Sequence, residues 1–208
     1  MQKNNITTQY RVELKEKILN ISMQEFHKHG IKAVKMDDIA NKLLISKRTL
    51  YELYANKEAL LFEGLKKMEE AYDEHMIEFC SSPENGVMEI IIEFYRIQMA
   101  KLSEINPLFF AELHKYTKVI EYLESKRRER NSKSNDFFSK GIAEGYFRAD
   151  ADYGIIREIA NYAVQGIMEE KLYQKYTPQR VFRNALLLFI RGLCTDKGLM
   201  VIDSKLHA

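Results

Sequence analysis

Along nearly the whole chain apolar residues recur at helical spacing, and no segment sustains the apolar–polar alternation of a half-buried strand. That periodicity disfavours a sheet and points to an all-α fold. Only three prolines and nine glycines punctuate 208 residues, so long helices with short connections follow. Residues 9–29 place Val12, Ile18, Ser22 and Phe26 on one face, and Gly30 stands where a helix stops. Two short helices are predicted over Asp37–Leu43 and Lys47–Leu53, the second capped by the Ser46 hydroxyl. A long helix follows from Lys57 to near Phe79, ending in the loop-forming run Ser-Ser-Pro-Glu-Asn-Gly at 81–86. Further helices are predicted over 86–103, 107–115, 117–144, 152–174 and 178–198, about nine in total.

With 46% apolar and 30% charged residues the chain has the balance of a globular protein. The longest wholly apolar run, Ala185 to Ile190, falls far short of the roughly 20 residues of a membrane span. The first residues lack a secretory pattern, so a cytoplasmic location without membrane association is expected. Cys80 and Cys194 have no CxxC spacing, which suits a reducing compartment and predicts two buried small side chains.

Charge is distributed unevenly. The formal net charge is +2, yet residues 1–57 hold eleven Lys and Arg against six acids, leaving the remainder mildly acidic. A basic end on an acidic body suits a module that meets a polyphosphate. The expected division is a head of residues 1–57 and a body of residues 58–208.

The window from Met36 to Tyr54 has the mechanics of a helix-turn-helix. Ile39, Ala40 and Leu43 form an apolar stripe on the first helix, Leu50 and Tyr54 on the second. A short turn ending in a cap sets the two helices at a steep angle, so that the second fits a DNA major groove. Lys47, Arg48, Thr49 and Glu52 then point outward. Arg48 can pair with guanine O6 and N7, and Thr49 can offer a methyl to thymine or a hydroxyl to a base or phosphate.

The run Met-Asp-Asp-Ile-Ala at 36–40, followed by Ile-Ser-Lys-Arg-Thr-Leu-Tyr-Glu-Leu-Tyr-Ala-Asn-Lys-Glu-Ala-Leu at 45–60, resembles the signature of the tetracycline-repressor (TetR) family. The resemblance covers about residues 10–65. It implies base contacts from Lys47, Arg48 and Thr49, and phosphate contacts from the Tyr51 hydroxyl and Lys57. Three positions depart from the family. Lys35 replaces a capping Thr or Ser, although its ammonium can still reach a phosphate. Leu44 stands where a glycine is usual, in a turn that asks for an uncomfortable backbone conformation. Leu53 replaces a Tyr or His that often meets phosphate.

The body has no comparable motif. The resemblance implies a ligand cavity among its helices and a homodimer formed by the last two, predicted over 152–174 and 178–198. The second of these is apolar all round, and the first offers Ile155, Ile159, Tyr162, Ala163, Gly166 and Ile167. Pocket candidates are Tyr95, Gln98, Met99, Phe110, His114, Phe138, Tyr162 and Gln165, with Phe94, Tyr116 and Asn135 nearby in sequence. For each, ordinary core packing is the competing role. The segment from Lys126 to Asp136 reads as a solvated face.

Catalytic signatures are absent: there is no HExxH, Glu-x-x-His, P-loop, GxGxxG or GxSxG. The histidines, at 27, 29, 75, 114 and 207, show no ligand-like pairing beyond an exposed His27/His29 on different faces, so neither metal nor cofactor is expected. The sequence thus predicts a homodimeric, non-enzymatic regulator that binds double-stranded operator DNA and is a repressor released by a small molecule. The alternatives are a ligand-independent or activating regulator, or a helical protein-interaction module without DNA contact.

Overall fold

The computed structural model describes residues 2–206, with side chains from Gln9 onward. Twelve helices are present among them: α1 (Gln2–His29), α2 (Met36–Lys42), α3 (Lys47–Leu53), α4 (Lys57–Ser81), α5 (Val87–Glu104), α6 (Pro107–Leu113), α7 (Thr117–Ser132), α8 (Ser134–Ala143), α9 (Tyr153–Glu169), α10 (Leu172–Lys175), α11 (Pro178–Leu193) and α12 (Asp196–Leu206). The all-α reading holds; the β-structure among the described residues is one isolated antiparallel bridge, Phe147 with Cys194. No helix there is long and apolar enough to cross a membrane. His207 lies outside the described residues.

The chain forms two compact units, one of Met1–Tyr72 with Leu108–Glu124, the other of Asp73–Pro107 with Ser125–Ala208. Their boundary falls further along α4 than the head–body division expected after residue 57.

In the first unit α1 buries Leu14, Ile18, Ser22 and Phe26, one every four residues. Val12, placed on that stripe by the sequence, is instead 54% exposed. Leu14 takes its place because a four-residue step returns to the same helix face, whereas the six residues from Val12 to Ile18 do not. The buried Ser22 hydroxyl donates to Ile18 O at 2.6 Å, satisfying the one polar group on this face. Gly30 ends α1 at φ +83°, with its N–H on Phe26 O. His27 is not exposed as expected: it is half-buried, edge-on to Phe109 with ring centroids 4.8 Å apart, while His29 is exposed.

In the second unit α5 packs against α8, α11 and α12. Its buried Val87, Met88 and Ile91 join Phe147, Cys194, Ile202 and Leu206 in the core. Cys194 is buried as predicted, but Cys80 is exposed.

Three predicted helices are broken, two of them where backbone groups find partners from elsewhere in the chain. The helix expected over 117–144 divides at Lys133, where Asn131 O accepts from Arg157 Nη1 at 3.2 Å and Ser134 Oγ at 2.7 Å. That over 152–174 stops at Glu169, two residues before Lys171 adopts φ +51°. That over 178–198 stops at Leu193, whose carbonyl accepts from Arg148 N while Thr195 N donates to Tyr146 O, both at 2.9 Å. The chain's final helix is therefore α12, which packs on α5, and the two helices expected to dimerise correspond to α9 and α11.

Candidate nucleic-acid interface

The helix-turn-helix is built from local signals. Asp37 and Asp38 occupy the first turn of α2, where the positive end of the helix dipole favours carboxylates. Lys35 precedes α2 as its N-cap residue, and a lysine side chain has no lone pair with which to cap. Half of a capping box compensates, since Asp38 Oδ2 accepts from Lys35 N at 2.9 Å. At the other end Leu44 N donates to Asn41 O and Ile45 N to Ala40 O, each at 3.1 Å, the hydrogen-bond pattern of a Schellman motif. The motif needs a left-handed residue, and Leu44 supplies it at φ +55°. The strain anticipated from the missing glycine is thus present. The Leu44 side chain is 93% exposed and gains almost no packing in return.

Ser46 caps α3 as predicted: its Oγ accepts from Thr49 N at 3.0 Å. Ile39, Ala40 and Leu50 are fully buried and Tyr54 nearly so, while Leu43 is half-buried. Burial of that seam fixes which side of α3 faces outward. Lys47, Arg48 and Tyr51 are exposed there, as is Lys35 ahead of α2, and Thr49 is half-exposed with its Oγ1 2.8 Å from Ser46 Oγ. Leu53 is half-buried and has no phosphate-binding group.

The exposed cations are already engaged by carboxylates. Lys47 Nζ meets Asp37 Oδ2, and this partner raises the lysine pKa above its ordinary value. Arg48 Nε donates to Glu52 Oε1 at 2.9 Å, one helical turn further along α3. Lys57 is different. Expected at a phosphate, it instead donates from Nζ to Ile31 O at 2.7 Å and Val34 O at 2.8 Å, and burial lowers its pKa. The opening of α4 is capped by Asn56, whose Oδ1 accepts from Ala59 N at 2.8 Å.

Residues 18–63, which include this whole arrangement, match the family of bacterial regulatory proteins described as tetR. The head of this chain thus resembles the TetR family. Solved structures of transcriptional regulators share its fold well beyond the matched head. A transcriptional regulator from Saccharomonospora viridis, in complex with choline, is 18% identical over 88% of this chain and 99% of its own, with a TM-score of 0.68. A TetR-family regulator from Agrobacterium tumefaciens is 13% identical over 89% of this chain and 100% of its own, with a TM-score of 0.66. The fatty acid degradation regulator FadR from Bacillus halodurans is 17% identical over 86% of this chain and 95% of its own, with a TM-score of 0.59. At such identities the likeness is one of fold. No curated protein matches the chain in sequence. A head that matches this family, joined to a helical body, supports DNA-binding transcriptional regulation.

The helical body places the pocket candidates unevenly. Phe110 and His114 lie in the first unit, Phe110 half-buried against Phe109 and His114 exposed. The other six lie in the second unit. Tyr95 stacks on Phe182, with ring centroids 6.2 Å apart, and Phe138 packs on Phe147 and Tyr153 in the core. Gln98 and Met99 are half-buried on α5. Tyr162 and Gln165 are exposed on α9, and Gln165 Nε2 donates to Glu169. Asn135 accepts from Arg157, which explains its place without a ligand. Asp37 and Glu52 are the functional neighbours that the sequence reading left out of the site. The four-residue spacing of Arg48 and Glu52 is the signal that reveals the second pair.

Proposed function

We propose that this chain is a homodimeric repressor of the TetR family that holds a palindromic operator and leaves it when a small molecule binds the body. The observation that carries the DNA-binding half is the exposed end of α3, where Lys47, Arg48, Thr49 and Tyr51 stand together over a buried seam. Lys47, Arg48 and Thr49 read bases; Tyr51 and Lys35 meet phosphates. Lys57 acts on the phosphate side indirectly, through the segment its ammonium holds.

Dimerisation is supported by α9, which buries none of its residues within the chain. Ile155, Ile159 and Tyr162 follow one another at i, i+4 and i+7 and are all more than half exposed, and Leu188 on α11 is 73% exposed. A four-helix pairing of α9 and α11 with their mates covers this face and gives a self-complementary two-fold interface. An effector is supported by analogy with the choline-bound regulator that shares the fold. Its differential affinity for two arrangements of the dimer would lower operator affinity by linkage.

A mobility-shift titration on the DNA upstream of the chain's own gene, repeated over a salt series, tests the core of this reading. Sequence-selective shifts are expected. Arg48→Ala is expected to relax selectivity at one base pair by roughly 1–3 kcal/mol. Tyr51→Phe is expected to weaken all sites alike, by about 0.5–1.5 kcal/mol for one lost hydrogen bond. A parent chain that shifts every duplex equally would sink the proposal.

A further inference from the structure

We propose, on the strength of the DNA-binding function above, that Glu52 is a specificity-determining residue: a positioning partner that holds Arg48 end-on for a guanine. The Arg48 side chain is 89% exposed, so packing does little to fix where its guanidinium points. The bond from Nε to Glu52 Oε1, at 2.9 Å, is what orients it. A guanidinium presents its donors as a rigid fork, and occupying Nε closes one side of that fork. The two terminal Nη groups stay available, and their spacing matches guanine O6 and N7.

Glu52 has a second effect, through its charge. Its side chain is half-exposed on the same short helix, one turn beyond Arg48. In a major groove this carboxylate sits in the field of the phosphates, where a lone negative charge is unfavourable for every sequence. Arg48 neutralises it only while the two remain paired. Where the facing base is not guanine, an unrestrained arginine swings to a phosphate and recovers affinity. Here that swing strands the Glu52 carboxylate in the groove. Wrong sequences are therefore penalised as well as the right one rewarded.

Lys47 and Asp37 make a useful contrast. Asp37 reaches Lys47 from α2, and an ammonium has no preferred edge to orient, so that pair supplies charge balance without direction.

The test uses the full-length chain and a duplex selected by it from a random library, with every single-base substitution of that site. The parent should prefer guanine at one base pair, the pair at which Arg48→Ala loses its preference. At this pair Glu52→Ala should lower discrimination by roughly tenfold, while affinity for non-cognate duplex rises as a negative charge leaves the groove. Glu52→Gln should fall between parent and Glu52→Ala in discrimination, because its amide oxygen still accepts from Nε while the charge penalty on wrong sequences is gone, and it should show the same rise in non-cognate affinity. The double variant should lose no more than Arg48→Ala alone, as expected of two residues acting as one unit. An unchanged preference in Glu52→Ala would overturn the proposal, as would a loss confined to a base pair that Arg48→Ala leaves intact. If the parent selects no sequence at all, the DNA-binding reading fails first and takes this proposal with it.

Discussion

Replacing Leu44 with glycine should stabilise the protein, although it removes a large apolar side chain. Leu44 sits at φ +55° in the Schellman turn that ends α2. Holding an L-residue in the left-handed region costs roughly 1–2 kcal/mol. Glycine escapes that strain but brings a more flexible unfolded chain, a penalty of about 0.4–1 kcal/mol. With the side chain 93% exposed, the lost packing is negligible. The difference is a net gain of roughly 0.5–1 kcal/mol, or about 1–4 °C in Tm for a protein of this size. An internal comparison supports the sign: α8 ends in the same turn, with Gly145 N on Ile142 O and Tyr146 N on Gly141 O, and there a glycine occupies the left-handed position at φ +76°. Thermal melts of the parent, Leu44→Gly and Leu44→Ala measure the effect. The alanine variant keeps the strained backbone and should melt close to the parent. A glycine variant that melts below the parent would refute the strain argument.

Three other perturbations have definite outcomes. Glu93 is buried between His75 and Arg96, and their hydrogen bonds, that of Arg96 first, lower its pKa to about 2. Because the folded value lies below the unfolded one, its stabilisation is complete above the ordinary carboxylate range and is lost as pH falls from 4.5 towards 2. Glu93→Gln should cost roughly 1.5–3 kcal/mol at neutral pH and flatten that acid limb in denaturant titrations. Ile159→Glu places a carboxylate on the exposed face of α9. The isolated protomer should fold normally, while sedimentation should detect dimers weakened by roughly 3–5 kcal/mol per unpaired buried charge; dimers of parental strength would remove α9 from the interface. Lys57→Met leaves Ile31 O and Val34 O without their donor and should lower stability by roughly 1.5–3 kcal/mol. Were Lys57 a phosphate ligand only, the melt would not change.

What was legible in the sequence was what is decided locally. The Ser46 cap, the Gly30 stop and the strained Leu44 turn each depend on a few adjacent residues, and each stands where the pattern placed it. The buried seam of Ile39, Ala40 and Leu50 follows from spacing alone. Where the reading missed, a distant partner decided. Arg157 reaches from α9 to the carbonyl at which α7 ends, and Phe147 pairs with Cys194 where α11 ends. The choice of Leu14 over Val12 is the exception, a local four-residue step to Ile18 that the pattern already contained. The pocket candidates were chosen by composition, which cannot tell a cavity wall from a stacked core ring such as Phe138. Glu52 could have been found, since four residues along a helix is a local relation. The inward turn of Lys57 could not, because its acceptors lie in a loop before α2.

That loop contact has a mechanical consequence. Residues 31–34 are the approach to the reading pair, and α4 is the longest element that leaves it. With one ammonium pinned to two carbonyls of the approach, and the Asn56 cap closing the corner after α3, the first turn of α4 is tied to the segment that leads into α2. A displacement of α4 at that end would pull directly on the segment that leads into the reading pair. The stiffness of the joint rests on one lysine, and an arginine, whose planar fork is too broad for two carbonyls gathered around a point charge, would loosen it.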